Sequence, residues 1–290
     1  MSAVGPDASI GVVGGGTMGV GIVYVHAAAG FDVWLVEPDD SRAEAGRRTL
    51  GEAAKAGVAR GKLDERQAAR IADRVRRLAS AADLPEALDL VIETVPERVE
   101  IKRQVLALID ARKPKIIATN TSALSIDALA LTLRDPSSFL GMHFFNPVWS
   151  LPMVELIRGK HTVEATLARA RQLAEATGKT TITVRDTPGF ATSRLDLIAS
   201  LEAMRMLQDG VASAEDIDRA MVVAYRHPIG PLRLSDIVGL DVRLDIARHL
   251  SSALGPRYEP PRLLEEMVAR GDLGRKTGRG FFDWSAAAAG

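Results

Sequence analysis

A glycine-rich turn between an apolar run and a helix is the feature that most constrains the fold. Residues 11–21 read GVVGGGTMGVG. The apolar run Ile10–Val13 predicts a short buried strand, and the small, apolar residues 18–29 predict a helix. Asp32–Glu37, DVWLVE, predicts a second buried strand that ends in an acid. Strand, turn, helix and strand within about 30 residues have the size of a βαβ unit.

The glycines of this turn follow the spacing G-x-G-x-x-G, which is a weak signal alone but is informative between a strand and a helix. Gly14 allows the tight turn, Gly16 lets the backbone approach a pyrophosphate, and Gly19 lets the helix pack close to the sheet. The helix N-terminus, with Thr17 and Met18, offers N–H groups and the positive end of its dipole. The alternative, a glycine turn that serves packing only, is disfavoured by the acid that ends the next strand. The turn therefore predicts a dinucleotide site.

The acid at the end of the second strand, Glu37, is expected to accept hydrogen bonds from the adenine-side ribose hydroxyls. A carboxylate there repels a 2′-phosphate, so NAD is predicted in preference to NADP. Arg42, five residues later in the sequence, is expected to soften that preference.

Short apolar runs that alternate with helical patterns continue along the chain and predict a mainly parallel sheet covered on both faces. The further strand candidates are Leu90–Thr94, Lys115–Thr119, Phe139–Met142, Val154–Ile157 and Thr180–Val184. After the turn sequence RDTPGF, residues 194–270 show helical spacing and no convincing strand. We therefore predict an α/β domain at 1–187 and a smaller all-helical domain at 188–290.

Composition excludes several classes of function. The 290 residues contain 37 basic and 37 acidic side chains, so neither nucleic acid nor an anionic membrane is expected as a partner. No cysteine is present, which excludes disulfides and thiol catalysis and is compatible with the cytoplasm. Residues 1–9 are interpreted as a short disordered lead and not as a signal peptide. No apolar run is long enough to predict a transmembrane helix, and no His/Asp/Glu spacing predicts a metal site.

The stretch 60–77 holds seven basic and three acidic residues. Arg66, Arg70 and Arg74 recur every four residues, which predicts that they share one helix face. The stretch is interpreted either as a solvated helix face or as a basic wall for a polyanionic ligand.

A histidine and a glutamate twelve residues apart are the strongest catalytic candidates. His143 ends a predicted strand at the sheet edge where ligands bind, and the chain turns at Asn146. Glu155 lies on the next predicted strand, from which it reaches His143 if the two strands are neighbours. A carboxylate on one imidazole nitrogen fixes the tautomer, and the other nitrogen then acts as a base. The pair suits removal of a hydroxyl proton coupled to hydride departure.

Two further turns carry polar candidates. In ATNTSAL, Asn120 and Ser122 follow a strand, and Ser122 is interpreted either as a donor to a substrate oxygen or as the N-cap of the next helix. In ETVPERVEIK, Glu97 and Lys102 are placed near the cofactor ribose, or else belong to an ordinary exposed helix start.

Seven segments in this order resemble the 3-hydroxyacyl-CoA dehydrogenase family: GGGTMGVGI, ETVPERVEIK, TNTSAL, GMHFFNPV with MVELI, RDTPGFATSRL, YRHPIGPLRLSDIVGLDV and LGRKTGRGFFDW. The resemblance covers roughly residues 9–284 and is greatest to the short bacterial 3-hydroxybutyryl-CoA dehydrogenases. It implies an N-terminal Rossmann-type domain, a helical C-terminal domain that forms a homodimer, and NAD-dependent oxidation of an (S)-3-hydroxyacyl-CoA to the 3-ketoacyl-CoA, and the reverse.

The resemblance also implies residue roles. His143 matches the catalytic base, Glu155 its partner acid, and Ser122 a serine that contacts substrate and nicotinamide. The matched cofactor contacts are Gly14, Gly16, Gly19, Glu37, Glu97, Lys102 and Asn146. Residues 55–77 correspond to a segment that lines the CoA groove, and the choice among Lys55, Arg60 and Lys62 for CoA phosphate stays open.

Two positions depart from the family pattern. Ser193 stands where the family usually has an asparagine that positions the substrate oxygen, and a serine is shorter and lacks the amide. Trp149 and Pro152 stand where the family often has a proline and a lysine, and Trp149 is expected to narrow or reshape the acyl side. These departures bear on the substrate, and two alternatives stay open: a dehydrogenase of a free 3-hydroxy acid, and a non-catalytic NAD-binding protein.

Overall fold

A computed structural model of the protein describes residues 8–285, so most of the predicted N-terminal lead and the alanine tail lie outside the described residues. The chain forms two compact units that divide between Thr187 and Pro188. The first is built around a sheet and the second is helical.

Residues 8–187 of the N-terminal unit form an eight-stranded sheet in the order β3-β2-β1-β4-β5-β6-β7-β8. Its strands are β1 (Ser9–Val13), β2 (Asp32–Val36), β3 (Val75–Leu78), β4 (Leu90–Glu93), β5 (Ile117–Thr119), β6 (Phe139–Phe144), β7 (Met153–Arg158) and β8 (Thr180–Arg185). All neighbouring pairs are parallel except β6 and β7. The prediction of a mainly parallel sheet is confirmed.

Burial explains why the apolar runs predicted the central strands. β4, β5 and β6 are buried along their whole length, as expected of strands with helices on both faces. β7 follows β6 after a short connection and turns back against it, which a helical crossover would not allow. The antiparallel pair brings residues of two consecutive strands into direct register.

The sheet's flanking helices are α1 (Thr17–Ala28), α2 (Asp40–Ala59), α3 (Glu65–Asp73), α4 (Val99–Ala111), α5 (Ile126–Ala130) and α6 (Glu164–Ala176). α1 is almost entirely buried and lies at the centre of the larger core together with α2 and α6.

The basic stretch 60–77 is not a single helix, which corrects the prediction for Arg74. α3 begins with a capping box between Asp64 and Gln67 and ends before Arg74, which is its C-cap. The chain then forms β3, an edge strand that sequence reasoning missed. The strand was missed because its two central residues are exposed arginines, and such charged residues are common on edge strands.

In the described part of the C-terminal unit, residues 188–285, five α-helices pack around a separate apolar core. They are α7 (Thr192–Gln208), α8 (Ala214–Tyr225), α9 (Pro231–Val238), α10 (Leu240–Leu254) and α11 (Arg262–Arg270). Asp236 on α9 is fully buried and accepts hydrogen bonds from the backbone N–H groups of Phe281 and Phe282 and from the indole of Trp284. These bonds attach the segment after α11 to the helical core.

Within residues 8–285, no helix combines the length and the apolar character needed to cross a bilayer.

Candidate active site

The glycine turn lies where the strand order reverses. β1 has β2 on one side and β4 on the other, and a crevice forms beyond the carboxyl ends of such strands. Gly14 has a φ of +114°, and a Cβ there would lie 2.9 Å from the Thr94 hydroxyl. That hydroxyl bonds to the carbonyl oxygens of Val13, at 3.0 Å, and Gly14, at 2.9 Å. The turn is therefore fixed to the end of β4, and only glycine fits at position 14.

The N-terminus of α1 is open. Gly16 is its N-cap and supplies no side-chain cap, and a Cβ at Gly16 would meet nothing within 4 Å. A Cβ at Gly19 would lie 1.8 Å from the Gly14 carbonyl oxygen, so Gly19 allows the helix to approach the turn. Thr17 and Met18 form the first turn of α1. Open space beside uncapped N–H groups fits an anion such as a pyrophosphate.

Glu37 reaches back to the glycine turn from the end of β2. The side chain is buried and accepts hydrogen bonds from the N–H groups of Gly15, at 3.0 Å, and Asp39, at 2.9 Å. Arg42 forms an ion pair with the same carboxylate at 3.1 Å. The arginine that was expected to soften the cofactor preference therefore lies directly beside the acid. A Cβ at Gly15 would lie 2.9 Å from Glu37, so Gly15 is also required to be small.

A buried ion pair that sequence reasoning missed lies at the end of β4. Glu93 is fully buried and accepts hydrogen bonds from Lys102, at 2.8 Å, and from the Thr119 hydroxyl, at 2.6 Å. Burial raises the pKa of the Glu93 carboxyl, and the charge of Lys102 opposes part of that rise. Lys102 is 1% exposed, so its ammonium group is held inside the unit by this pair. Glu93 is the last residue of an apolar strand, and nothing in the sequence indicated that it would pair with Lys102.

Glu97 organises the turn that carries Ser122. One carboxylate oxygen accepts from the Thr121 hydroxyl at 2.5 Å and from the N–H groups of Ser122, at 2.9 Å, and Ala123, at 3.2 Å. The other oxygen lies 3.2 Å from the Lys102 ammonium. Burial acts to raise the pKa of Glu97, but the Thr121 hydrogen bond and the Lys102 charge together hold it below its usual value. Glu97 is therefore an anion that fixes the turn after β5.

Ser122 does not cap a helix, so the N-cap interpretation is wrong. The N-cap of α5 is Ser125, whose hydroxyl accepts a hydrogen bond from the Ala128 N–H. Asn120, two residues before Ser122, accepts from the N–H of Phe144 at 2.9 Å and so ties the end of β5 to the end of β6.

His143 and Glu155 are direct partners across β6 and β7. The distance from His143 Nδ1 to Glu155 Oε2 is 2.8 Å, Glu155 is fully buried, and the His143 side chain is 9% exposed. The Phe145 ring packs against the imidazole with centroids 4.4 Å apart. With Nδ1 donating to the carboxylate, Nε2 is the basic nitrogen, and an imidazolium that forms there is stabilised by the adjacent anion.

His143, Ser122 and Glu97 line one cavity of about 370 Å³. Its polar lining groups lie at the ends of β4, β5 and β6 or in the segments that follow them, except Lys102, which lies on α4. The groups beside the strand ends are Thr94, Glu97, Asn120, Ser122, His143 and Asn146. Met18, from the first turn of α1, completes the wall toward the glycine turn. The cavity therefore joins a dinucleotide-type turn to an acid–base pair.

A second cavity, of about 240 Å³, lies between Tyr24 of α1 and the C-terminal half of α2. Trp149 lines it together with Arg60 and Lys62, and its ring contacts Tyr24 edge-on with centroids 6.1 Å apart. Trp149 was expected on the acyl side, but it lies in the wall of this second cavity and not among the residues that line the cavity at His143.

Family models match both units. The model of the 3-hydroxyacyl-CoA dehydrogenase NAD-binding domain matches residues 9–187, and that of the C-terminal domain matches residues 189–284. The chain belongs to the 3-hydroxyacyl-CoA dehydrogenase family. The predicted resemblance and fold class are confirmed.

Individual relatives agree with the family match. A 3-hydroxybutyryl-CoA dehydrogenase of Mycobacterium tuberculosis is 40% identical over 282 residues, covering 95% of this chain and 98% of the relative. One from Clostridioides difficile is 38% identical over 279 residues, with 95% and 99% covered. The crystal structure of an (S)-3-hydroxybutyryl-CoA dehydrogenase from Ralstonia eutropha superposes with a TM-score of 0.91 at 40% identity, covering 96% of this chain and 99% of that one.

Ser193, which was expected to stand in place of an asparagine that positions the substrate oxygen, lies in the first turn of α7 in the C-terminal unit. Its predicted contact with substrate stays a prediction. Among the described residues, no group of three or more metal-ligating side chains is present.

Proposed function

We propose that this member of the 3-hydroxyacyl-CoA dehydrogenase family oxidises an (S)-3-hydroxyacyl-CoA to the 3-ketoacyl-CoA with NAD, and catalyses the reverse reaction. The observation that carries the proposal is the His143–Glu155 pair, whose histidine lines the same cavity as Met18 from the first turn of α1. A short acyl group such as 3-hydroxybutyryl is the proposed substrate, since relatives at about 40% identity are named 3-hydroxybutyryl-CoA dehydrogenases.

The residues at the glycine turn fit a dinucleotide. The open space at Gly16 and the uncapped N-terminus of α1 would receive the pyrophosphate, and Glu37 would receive the adenine-side ribose. NAD bound there supplies the carbon that accepts a hydride from C3 of the substrate. The buried carboxylate of Glu37 disfavours a 2′-phosphate, while Arg42 beside it reduces that discrimination.

In the oxidation, His143 Nε2 takes the proton of the C3 hydroxyl as the C3 hydride departs. The C3–H bond breaks with both of its electrons, and the electrons of the O–H bond form the new carbonyl. Glu155 stabilises the imidazolium that results, and it needs no proton of its own. In the reverse direction the imidazolium returns the proton to the developing alkoxide.

The surrounding polar groups orient the reactants in this proposal. Ser122 donates to the substrate oxygen, and Glu97 holds the turn that presents it. Asn120 and Asn146 line the same cavity and are proposed to contact the nicotinamide side of the cofactor. Lys102 acts by holding Glu97, because its ammonium donors are engaged by the two glutamates and by the Val95 carbonyl oxygen.

The second cavity supports CoA in preference to a free hydroxy acid. Arg60 and Lys62 both line it, while Lys55 does not. We therefore assign Arg60 and Lys62 to the CoA phosphates. The cavity's charged lining groups are the exposed Arg60, Lys62 and Glu52, so its net charge is positive. Two cations beside the Tyr24 and Trp149 rings suit a ligand that combines phosphates with an extended organic chain.

We propose that the protein is a homodimer that forms through the C-terminal unit. That unit exposes large apolar side chains, which favour burial against another surface. They are Leu195, Val211, Val222, Val223, Tyr225, Ile237, Val238 and Val242. Sedimentation equilibrium is expected to give twice the chain mass, and a monomer at micromolar concentration would contradict the proposal. The cytoplasmic location stays a prediction.

The function is tested by steady-state NADH oxidation. We expect turnover with acetoacetyl-CoA and little or none with free acetoacetate or other 3-keto acids. His143→Ala is expected to abolish turnover while NADH still binds, as measured by fluorescence. Turnover of the free acids alone would favour the hydroxy-acid alternative, and NADH binding without turnover on any acyl-CoA would favour the non-catalytic one.

A further inference from the structure

A buried lysine holds the loop that follows the catalytic histidine. Lys179, just before β8, is 7% exposed. Its ammonium group donates a hydrogen bond to the carbonyl oxygen of Val148 and another, at 2.6 Å, to that of Leu151. We call residues 147–151 the Trp149 loop. Two backbone carbonyl groups of the loop are therefore bound to the side chain of the residue that precedes β8.

The burial of this cation is not explained by an anionic partner in the part of the chain that the structure describes. Among residues 8–285, no carboxylate forms an ion pair with the Lys179 ammonium, and the charged group that acts on it most is Lys62, a second cation. Burial, followed by the Lys62 charge, lowers the pKa of Lys179. A buried charge with only carbonyl acceptors is costly, so stability alone does not explain why a lysine stands at this position.

The Trp149 loop also packs on α1. A Cβ at Gly21 would lie 2.8 Å from the Val148 side chain, so the loop is in close contact with the helix backbone there. The next residue, Trp149, contacts the Tyr24 ring edge-on. Its indole thereby becomes a wall of the second cavity, which Arg60 and Lys62 also line. The position of the loop decides the position of that wall.

We propose that Lys179 is a positioning residue that fixes Trp149 against the nucleotide-bearing half of the CoA thioester, and that Trp149 is the residue of this loop that determines affinity for that half. The inference rests on the proposed function. Lys179 does not touch the reacting atoms in this proposal, and its effect is transmitted through the two loop carbonyl groups.

Two substrates that differ only in the nucleotide-bearing half distinguish this positioning role from a general structural role. Acetoacetyl-CoA carries the nucleotide, and the N-acetylcysteamine thioester of acetoacetate lacks it but has the same reacting group. Lys179→Met removes both hydrogen bonds with little change in volume. We expect KM for acetoacetyl-CoA to rise about tenfold, kcat to stay within about twofold, and kcat/KM for the truncated thioester to be unchanged.

A double-mutant cycle tests the route of the effect. Trp149→Ala, at a partly exposed site, is expected to raise KM for acetoacetyl-CoA by a similar factor, and adding Lys179→Met to it is expected to cost little more. Lys160→Met removes a lysine whose side chain is exposed and serves as the matched control. If Lys179→Met does not fold, the same two substrates are compared in Lys179→Arg and in Trp149→Ala. A loss confined to acetoacetyl-CoA is expected in these variants as well, and an equal loss on both substrates would overturn the inference.

The inference would be overturned if Lys179→Met lowered kcat/KM equally for acetoacetyl-CoA and the truncated thioester. It would also be overturned if Lys179→Met raised KM by its full factor in the Trp149→Ala background. Wild-type affinity in Lys179→Met would do the same. These outcomes differ from failure of the proposed function, in which the unaltered protein itself shows no turnover of acetoacetyl-CoA.

Discussion

Replacing Glu155 by glutamine isolates the charge of the acid–base pair. The carboxylate is fully buried and accepts from His143 at 2.8 Å, so the two charges of the transition state lie about 4 Å apart. At an effective dielectric constant of about 20, their attraction is about 4 kcal/mol. A glutamine oxygen that accepts from Nδ1 retains about 1 kcal/mol of this as a neutral hydrogen bond. The net loss is about 3 kcal/mol, which corresponds to a kcat about 100-fold lower.

The assay measures initial rates of NADH oxidation by acetoacetyl-CoA, with NADH affinity measured separately by fluorescence. KM and NADH affinity are expected to change little, because the charge is needed only when the imidazolium forms. The melting temperature of Glu155→Gln is expected to equal or exceed that of the unaltered protein, since a buried carboxylate is costly to desolvate.

The matched control is Glu164→Gln, which changes an exposed glutamate whose partner is Arg158. Surface ion pairs contribute little, so this variant is expected to keep its kcat. A kcat for Glu155→Gln within about threefold of the unaltered protein would refute the reasoning, because the pair could not then carry a charge in the transition state.

Three further predictions follow from the geometry. Gly16→Ala is expected to fold normally but to bind NADH at least about tenfold more weakly, whereas Gly19→Ala is expected to lower the melting temperature, because its Cβ would lie 1.8 Å from the Gly14 carbonyl oxygen; circular dichroism and NADH titration distinguish them. Glu97→Gln is expected to weaken NADH binding about fivefold, since the turn at Ser122 loses a charged acceptor, and unchanged binding would remove Glu97 from the site. Burial lowers the pKa of His26 to about 4, so between about pH 6.5 and 4 the unfolded chain binds a proton at this residue that the folded chain does not. The free energy of unfolding therefore keeps its full value above about pH 6.5 and decreases as the pH falls toward 4. At pH 5 the decrease is about 2 kcal/mol. Urea unfolding at pH 7.5 and 5 is expected to show a smaller loss for His26→Leu, and equal losses would contradict this.

The sequence was sufficient for the sheet's central strands and for the glycine turn. Continuous apolar runs predict strands buried on both faces, and the spacing Gly14-x-Gly16-x-x-Gly19 reports backbone requirements that are local to one turn. The strand Val75–Leu78 was missed because an edge strand needs no apolar run, and its arginines continue the charge pattern of the preceding helix.

The sequence by itself determined which residue types stand at the ends of the strands, because burial and turn chemistry depend on near neighbours in the chain. Only the tertiary structure decided which of those side chains meet. The antiparallel register sets Glu155 opposite His143, the turn after β5 brings Ser122 to Glu97, and the packing of β8 places Lys179 beneath the Trp149 loop. Such contacts join residues far apart in sequence, and their geometry comes from strand pairing and packing, which no local pattern records.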